Sequence, residues 1–495
     1  MEINPMLKDF LYSEQVLNNY SLYSEEHQKE QFGMDIPQEY QPTSQFFFKL
    51  PYFLIPLDGK NALIEYKQSL HDFFEKNLFF RVDETIYYPF FVHPTTEPFF
   101  KKWLGDAYSF VAADESVFEA TPTSSFRSLV VQNSATGDFF VAKVTILANV
   151  TNGSRHIDWN SAIGQFQSSQ FLRDCLGSRN DFELFEDVGA FGITGNTEVV
   201  LSERFKVAFG PRKIKSFGTV IRMIPDSLLR NKARICSIAS FTSLINKTAN
   251  YLHKAWKTSN VEFLEFVEQY LFQPLSKIIL EFYQIHGIVF EPHCQNTMIE
   301  LDDLGRLTGK FYYRDFDMTA LDRVRFPFVH PDNWRCYIHN RPDRNTMHTN
   351  IGQRDAVGVC LFQHFIENLI TPCLNSGFKQ GLGEEAELNE YKSQKIGELK
   401  SFLHRIIPHI DPQFLETGIK WDYGKNYFSV MGIEEIPEEL EPLKTEFNKD
   451  NYVSFFLSID ASSANETFLS KHGYVVGVKD RLVKTLWVPK KDSGI

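Results

Sequence analysis

Cysteine is scarce and scattered. The six residues at 175, 236, 294, 336, 360 and 373 never form a Cys-x-x-Cys pair. That pattern argues against a disulfide framework and fits reduced thiols in the cytosol, so a cytoplasmic location is expected. No run of roughly 18 uninterrupted apolar residues occurs, so no membrane span is expected. The start, Met1-Glu2-Ile3-Asn4-Pro5, is neither basic nor followed by an apolar core, so no signal peptide is expected either. Positive charge is not in excess: 51 Lys and Arg face 63 Asp and Glu, for a net charge of −12. Nucleic acid is therefore not an expected partner, although a local basic pocket for a small anion is compatible with that balance. HExxH, Walker A and GxSxG sequences are all missing. Gly189-x-x-Gly192-x-x-Gly195 lacks the dinucleotide spacing and is expected to be a loop. There is no internal repeat and no long low-complexity linker.

What is present is a long, phenylalanine-rich chain. Its 495 residues allow two to four domains. The 47 Phe outnumber the 6 Trp and 20 Tyr together, which points to an aromatic-rich core. The texture is that of an α+β, multi-domain chain with three regions. Residues 1–90 are mixed, with helical patterning such as Ala62 to Leu78. Residues 91–230 are rich in Val, Thr, Phe and turn signals and are expected to be mostly strands. Residues 231–495 are expected to be mainly helical, interrupted by a strand-rich stretch at 288–316.

The central region contains a hairpin pattern. Residues 123–132 form one strand candidate, 133–138 a turn cluster, and Phe139 to Val150 a second strand. Alternation puts Ser125 and Arg127 on one face of the first strand, and Lys143, Thr145 and Asn149 on one face of the second. Folding about the turn brings Arg127 within a residue or two of Lys143. Like charges opposed in a sheet are unfavourable, so either both point to water or an anion sits between them. Arg155 adds a third cation just downstream, and a guanidinium suits carboxylate or phosphate.

A second stretch carries most of the candidate chemistry. Apolar residues recur at helical spacing from Val261 to His286, with a kink expected at Pro274 and a stop at Gly287. A short strand, Ile288-Val289-Phe290, leads into the polar loop Glu291-Pro292-His293-Cys294-Gln295-Asn296. Thr297 to Leu301 and Lys310 to Arg314 are strands about a turn at 302–305, ending at Asp315-Phe316-Asp317. Protein-kinase-like enzymes place an acid, an asparagine five residues on, a hairpin and then a metal-binding Asp. Glu291, Asn296 and Asp315 follow that order. Oxygen ligands of this kind suit Mg²⁺ shared with nucleotide phosphates. The plainer alternative is a hairpin whose polar ends cap neighbouring helices. A zinc site is weaker, because a lone His and Cys with carboxylates lack the usual ligand spacing.

At these residues the chain resembles the IucA/IucC family, the NRPS-independent siderophore (NIS) synthetases. His286-Gly-Ile-Val-Phe-Glu-Pro-His-Cys-Gln-Asn296 is similar to the family's "HGI..E.H.QN" signature, and Arg314-Asp315-Phe316-Asp317 to its "RDFD" element. Pro122-Thr-Ser-Ser-Phe-Arg127 resembles its "P.SS.R" strand. Lys143 and Thr151-Asn152-Gly153-Ser154-Arg155 resemble the strand whose Lys and Arg lie twelve apart. Val220-Ile221-Arg222 resembles its "REnP" strand without the Glu.

The resemblance implies a thumb, fingers and palm cradle around a deep cleft, with a distantly kinase-like palm. It also implies a ligase that uses ATP and Mg²⁺ to adenylate a polycarboxylate, citrate foremost, for attack by an amine or hydroxyl. AMP and diphosphate are the expected products, and a homodimer is a family-level expectation. In this reading Ser125, Arg127, Lys143, His293, Gln295, Asn296 and Asp315 contact ATP. Glu291, Asp315 and Asp317 hold Mg²⁺. His93, Thr151, Asn152 and Arg155 hold the carboxylate substrate, with His293 and Arg155 nearest the reaction. The sequence departs from the family at its "HPxxKxRxG" loop: after His93-Pro94 the lysines come at 101 and 102, and no Arg precedes Gly105. Two other readings share these residues. One is a small-molecule kinase, disfavoured by the lack of a glycine-rich loop before Lys143. The other is a catalytically degenerate binding protein.

Overall fold

The structure is a computed structural model that describes residues 3–18, 36–147, 149–150, 153–154, 156–177, 179–201, 212–245, 250–286, 288–289, 291–316, 320–321, 358–406, 452–460, 475–479 and 482–489. It is mixed α/β. The chain divides into one unit of Met1–Ser259 with Cys294–Asp317, and a second of Asn260–His293 with Met318–Ile495.

The first unit is built on a seven-stranded antiparallel sheet. Its strands run Phe48–Lys49, Phe118–Pro122, Ser128–Asn133, Phe139–Lys143, Arg212–Arg222, Asp187–Leu201 and Ala62–Tyr66 in spatial order. The phenylalanine excess is spent here. Phe53, Phe91, Phe118 and Phe140 are buried in one cluster, with Phe91 edge-on to Phe118 at 4.9 Å and 87°. Such edge-to-face pairs add to what burial alone contributes.

Ala62 to Leu78 is not one helix. Ala62–Tyr66 is the edge strand, paired from Ala62↔Ile193 to Tyr66↔Gly189, and only His71–Asn77 is α-helical. The long-range ladder overrides the local pattern. The three glycines expected in a loop instead lie within the strand Asp187–Leu201. A Cβ at Gly192 would meet Trp159 at 2.6 Å and the Phe217 carbonyl at 2.7 Å, and one at Gly195 would meet Trp103 at 2.1 Å. These glycines admit aromatic side chains against the sheet.

The helix Trp159–Leu176 packs on the same sheet. Asp158 caps its start, accepting from the Ser161 N–H at 2.6 Å. A four-stranded sheet follows the order Phe182–Leu184, Leu307–Tyr313, Thr297–Leu301 and Arg234–Ser237. Its central hairpin is close to the sequence expectation. Asp302 accepts from the Leu304 and Arg306 N–H groups, and Gly305 takes φ +81° in the turn.

The N-terminal helix Pro5–Tyr12 is capped by Asn4, whose side chain accepts from the Leu7 N–H at 2.8 Å, with Pro5 at the first turn. Its Leu7, Phe10 and Leu11 pack with Val130 and Val141 of the large sheet and Met298 and Tyr312 of the hairpin. The helix continues as a π-turn over Ser13–Leu17.

In the second unit, Phe263–Val267 and Gln273–His286 are joined by a π-turn at Glu268–Phe272, immediately before Pro274. Proline cannot supply the N–H of a regular turn there. Helices follow at Gly358–Ile370, Thr371–Lys379 and Glu385–Ile406. The helical expectation for the C-terminal part fails at 452–460, 475–479 and 482–489. Tyr452–Asp460, Leu482–Pro489 and Val475–Lys479 form a three-stranded sheet. The Val and aromatic content of those segments favours strands. Among the described residues no helix is long and apolar enough to cross a membrane.

Candidate functional site

The first unit gathers candidate residues from distant segments around one cleft. Ser125, Gln295, Asn296 and Asp315 line it together with Thr123, Ser128, Arg222, Arg314 and the apolar Phe10, Val141 and Phe185. Each arrives by a local device. The strand expected at 123–132 begins only at Ser128. Residues 123–127 form a turn closed by the Thr123 N–H to the Ser128 carbonyl at 2.8 Å. Phe126 sits in it at φ +59°. Ser125 and Arg127 therefore do not alternate along one strand face. A left-handed, buried phenylalanine is strained and persists only where its surroundings hold it. The expected closeness of Arg127 and Lys143 is found: Lys143 pairs with Ser128, and the Val144 N–H donates to the Arg127 carbonyl at 2.8 Å.

Asp315 follows the hairpin strand Leu307–Tyr313. The Arg314 N–H donates to the Asn296 carbonyl at 3.1 Å, so the two loop ends are tied, and Asp315 then turns to φ +70°. Aspartate tolerates that region better than most residues. Its Oδ1 accepts from Lys143 Nζ at 2.7 Å. Lys143 is almost fully buried and also donates to Gln165 Oε1 at 2.7 Å, while Asp315 keeps about a third of its side chain exposed.

Behind this pair lies a second. Asp187 and Arg222 are buried and joined by Nε to Oδ1 at 2.6 Å and Nη2 to Oδ2 at 3.3 Å. Burial pushes the Asp187 carboxyl up, opposed by Arg222 and Lys143, but the two bonds belong to an ionised pair. Burial pulls the Arg222 guanidinium down, and the Asp187 carboxylate more than offsets it, so its pKa is raised. Arg222 and Arg314 line the cleft, and Lys143 meets Asp315 at its edge, so guanidinium and ammonium groups are gathered here although each has a carboxylate partner.

His93 is not among the residues lining this cleft. It is fully buried, edge-on to Tyr40 at 5.7 Å. Its Nδ1 accepts from the Thr95 N–H at 3.3 Å. In the neutral ring the proton then sits on Nε2, which has no hydrogen-bond partner among the described residues. Burial pulls its pKa from 6.5 down to about 3. A histidine whose folded-state pKa is depressed contributes stability above pH 6.5 that is lost as pH falls towards 3. We expect His93→Asn, which keeps an acceptor for Thr95, to flatten the fall in unfolding free energy by up to ~1.4 kcal/mol per pH unit between pH 6.5 and 4. Urea titrations across that range test this; parallel wild-type and variant curves would refute it.

In the second unit, Glu291 faces two imidazoles. Its Oε2 is 3.8 Å from His293 Nε2 and its Oε1 is 3.6 Å from His364 Nε2. The His293 N–H also donates to the Glu291 carbonyl at 2.9 Å. Thr151, Asn152, Arg155 and Asp317 lie outside the described residues.

The sequence reading missed Gln165, Asp187, His364 and Glu14, a buried acid paired with Arg314 at 2.8 Å. It quoted Arg222 and Arg314 without giving either a role. No local signal marks Gln165 or Asp187, because their partners are distant in sequence. Among the described residues no group of three or more His, Cys, Asp or Glu side chains is placed to hold a metal ion. Mg²⁺ shared with phosphates needs only one or two protein carboxylates. Asp315 already takes a cation, the Lys143 ammonium, so a carboxylate of that kind is present.

Two family models match this chain. Residues 20–243 match the IucA / IucC family, and residues 265–388 match the ferric iron reductase FhuF-like transporter family. No curated protein matches it in sequence. Among solved structures it is similar to ATP-bound aerobactin synthetase IucA from a hypervirulent pathotype of Klebsiella pneumoniae. The identity is 12% and the TM-score 0.56, over 79% of this chain and 69% of that one. Aerobactin synthetase IucC from the same pathotype gives 12% and 0.57 over 76% and 66%. Petrobactin biosynthesis protein AsbB from Bacillus anthracis str. Sterne gives 12% and 0.53 over 99% and 75%. At such identities the likeness is one of fold. The family match adds sequence to it: residues 20–243, a little under half of the chain, are similar to the IucA / IucC family.

Proposed function

We propose that this protein is an ATP-dependent siderophore synthetase that adenylates a polycarboxylate, citrate foremost, and condenses it with an amine or hydroxyl. The observation that carries this reading is the cleft of the first unit. Ser125, Gln295, Asn296 and Asp315 line it from three separate segments, and Lys143, from a fourth, touches Asp315. The family match and the fold shared with an ATP-bound synthetase support it.

In the first step a substrate carboxylate oxygen attacks the α-phosphorus of ATP. A P–O bond forms, the Pα–O–Pβ link breaks, and pyrophosphate leaves with the electron pair. In the second step an amine nitrogen or hydroxyl oxygen attacks the acyl carbon, its proton is lost to solvent or a base, and AMP departs.

The residues of the cleft fit the first step. Lys143 and Arg222 offset negative charge on the phosphates. Ser125, Gln295 and Asn296 supply hydroxyl and amide groups that orient them. Asp315, with its partly exposed carboxylate, would hold Mg²⁺, which when bound would screen phosphate charge. A carboxylate nucleophile has no proton to lose, so this step needs no general base. Arg127, Glu291, His293, Thr151, Asn152, Arg155 and Asp317 keep, within this reading, the roles that the resemblance gives them, whereas His93, fully buried and outside the lining of the cleft, does not.

The test is pyrophosphate release from Mg-ATP, with hydroxylamine as surrogate nucleophile and a panel of citrate, 2-oxoglutarate, succinate and related acids. Release with one acid, with AMP formed in step, is the expected result. ADP and phosphate as products would overturn adenylation in favour of phosphoryl transfer.

A further inference from the structure

The N-terminal π-turn Ser13–Leu17 directs Glu14 into the interior of the first unit. π-turns inside helices recur at functional positions, and this one has a specific outcome. The Glu14 side chain is fully buried and its Oε2 accepts from Arg314 Nη1 at 2.8 Å and from Ser124 Oγ at 3.1 Å. Arg314 Nε donates to the Gln295 carbonyl at 3.1 Å, and Gln295 Nε2 donates to Ser124 Oγ at 3.4 Å. Beside Glu14, Gln15 Nε2 donates to Thr121 Oγ1 at 2.7 Å and to the Pro122 carbonyl at 2.9 Å. One acid from the start of the chain thus joins the 123–127 turn, the 295–296 loop and the 314–315 strand end. Those are the segments that carry Ser125, Asn296 and Asp315 to the cleft.

We propose that Glu14 is a positioning residue of this cleft, holding Arg314 and the Ser124 turn so that the nucleotide-facing groups keep their spacing; this rests on the nucleotide reading above. The physical reason is charge. Arg314 is about nine-tenths buried, and a buried guanidinium without its carboxylate must find another anion or water. Asp315 is the adjacent residue and already serves Lys143. Loss of Glu14 would set Arg314 competing for Asp315 and loosen the 295–296 loop that it anchors.

The experiment is calorimetric titration of Mg-ATP into wild type, Glu14→Gln, Arg314→Gln and the double variant, with melting temperatures measured alongside. Leu7→Ala serves as a control that loosens the same helix without touching Arg314. We expect Glu14→Gln to fold and to bind Mg-ATP about tenfold more weakly, a loss of ~1.4 kcal/mol. The double variant is expected to be no weaker than Arg314→Gln alone, because the two side chains act through one contact. Wild-type affinity in Glu14→Gln, failure of that isosteric variant to fold, or an equal loss in Leu7→Ala would each overturn the inference. A wild-type protein that binds no Mg-ATP would overturn the nucleotide reading itself, and this inference with it.

Discussion

Asp315→Asn is expected to lower Mg-ATP-dependent turnover at least a thousandfold, about 4 kcal/mol of transition-state stabilisation. Asparagine keeps the shape and one oxygen but loses the charge that holds a hard cation. It also removes the carboxylate that pairs with the buried Lys143 ammonium, which Gln165 Oε1 also contacts. The fold should survive, because Asp315 is partly exposed and its backbone is held by the neighbouring Arg314–Asn296 bond. The check is pyrophosphate release across a Mg²⁺ titration, with circular dichroism to confirm folding. A folded variant with near wild-type turnover at ordinary Mg²⁺ would remove Asp315 from the metal's coordination. A rate recovered only at high Mg²⁺ would keep it there as a weakened ligand.

The largest effect on stability is expected at Asp187. Its carboxylate is completely buried against Arg222, and its backbone N–H donates to Ser169 Oγ at 2.8 Å. Asp187→Ala removes one partner and strands a buried guanidinium, which costs about 3–5 kcal/mol. Against a typical domain stability of ~5–15 kcal/mol that is a large fraction. Replacing both residues, as Asp187→Leu with Arg222→Met, should recover much of the loss, since apolar groups of similar volume leave no buried charge. Urea denaturation of the three variants separates the outcomes. A single variant that loses under 1 kcal/mol would mean that water reaches Arg222. The double variant should still bind Mg-ATP poorly, because Arg222 lines the cleft.

These predictions involve groups that differ in how far the sequence could reveal them. The Thr297–Tyr313 hairpin was legible because its turn is local: Asp302 and Gly305 carry their own geometry, and alternation fixes the faces. Arg127 near Lys143 followed from the same arithmetic, one turn away. Ser125 and Arg127 were misplaced because a turn set by Phe126 at positive φ cannot be distinguished from a strand start by polarity alone. Ala62–Tyr66 and the glycines at 189, 192 and 195 were misread for a related reason. Their conformation depends on partners more than a hundred residues away, or on the Trp159 and Trp103 rings that only glycine admits.

By itself, then, the sequence determined the acidic, phenylalanine-rich character of the chain, the hairpin, and the order of acid, amide and aspartate whose pattern resembles the IucA/IucC motifs. Residue type and short spacing suffice for these, because turns, capping and alternation are local. Tertiary structure alone decided that Lys143 meets Asp315, that Asp187 neutralises Arg222, and that Glu14 reaches Arg314 from 300 residues away. A buried charge must find its opposite wherever packing brings one, and that choice is made by the fold as a whole.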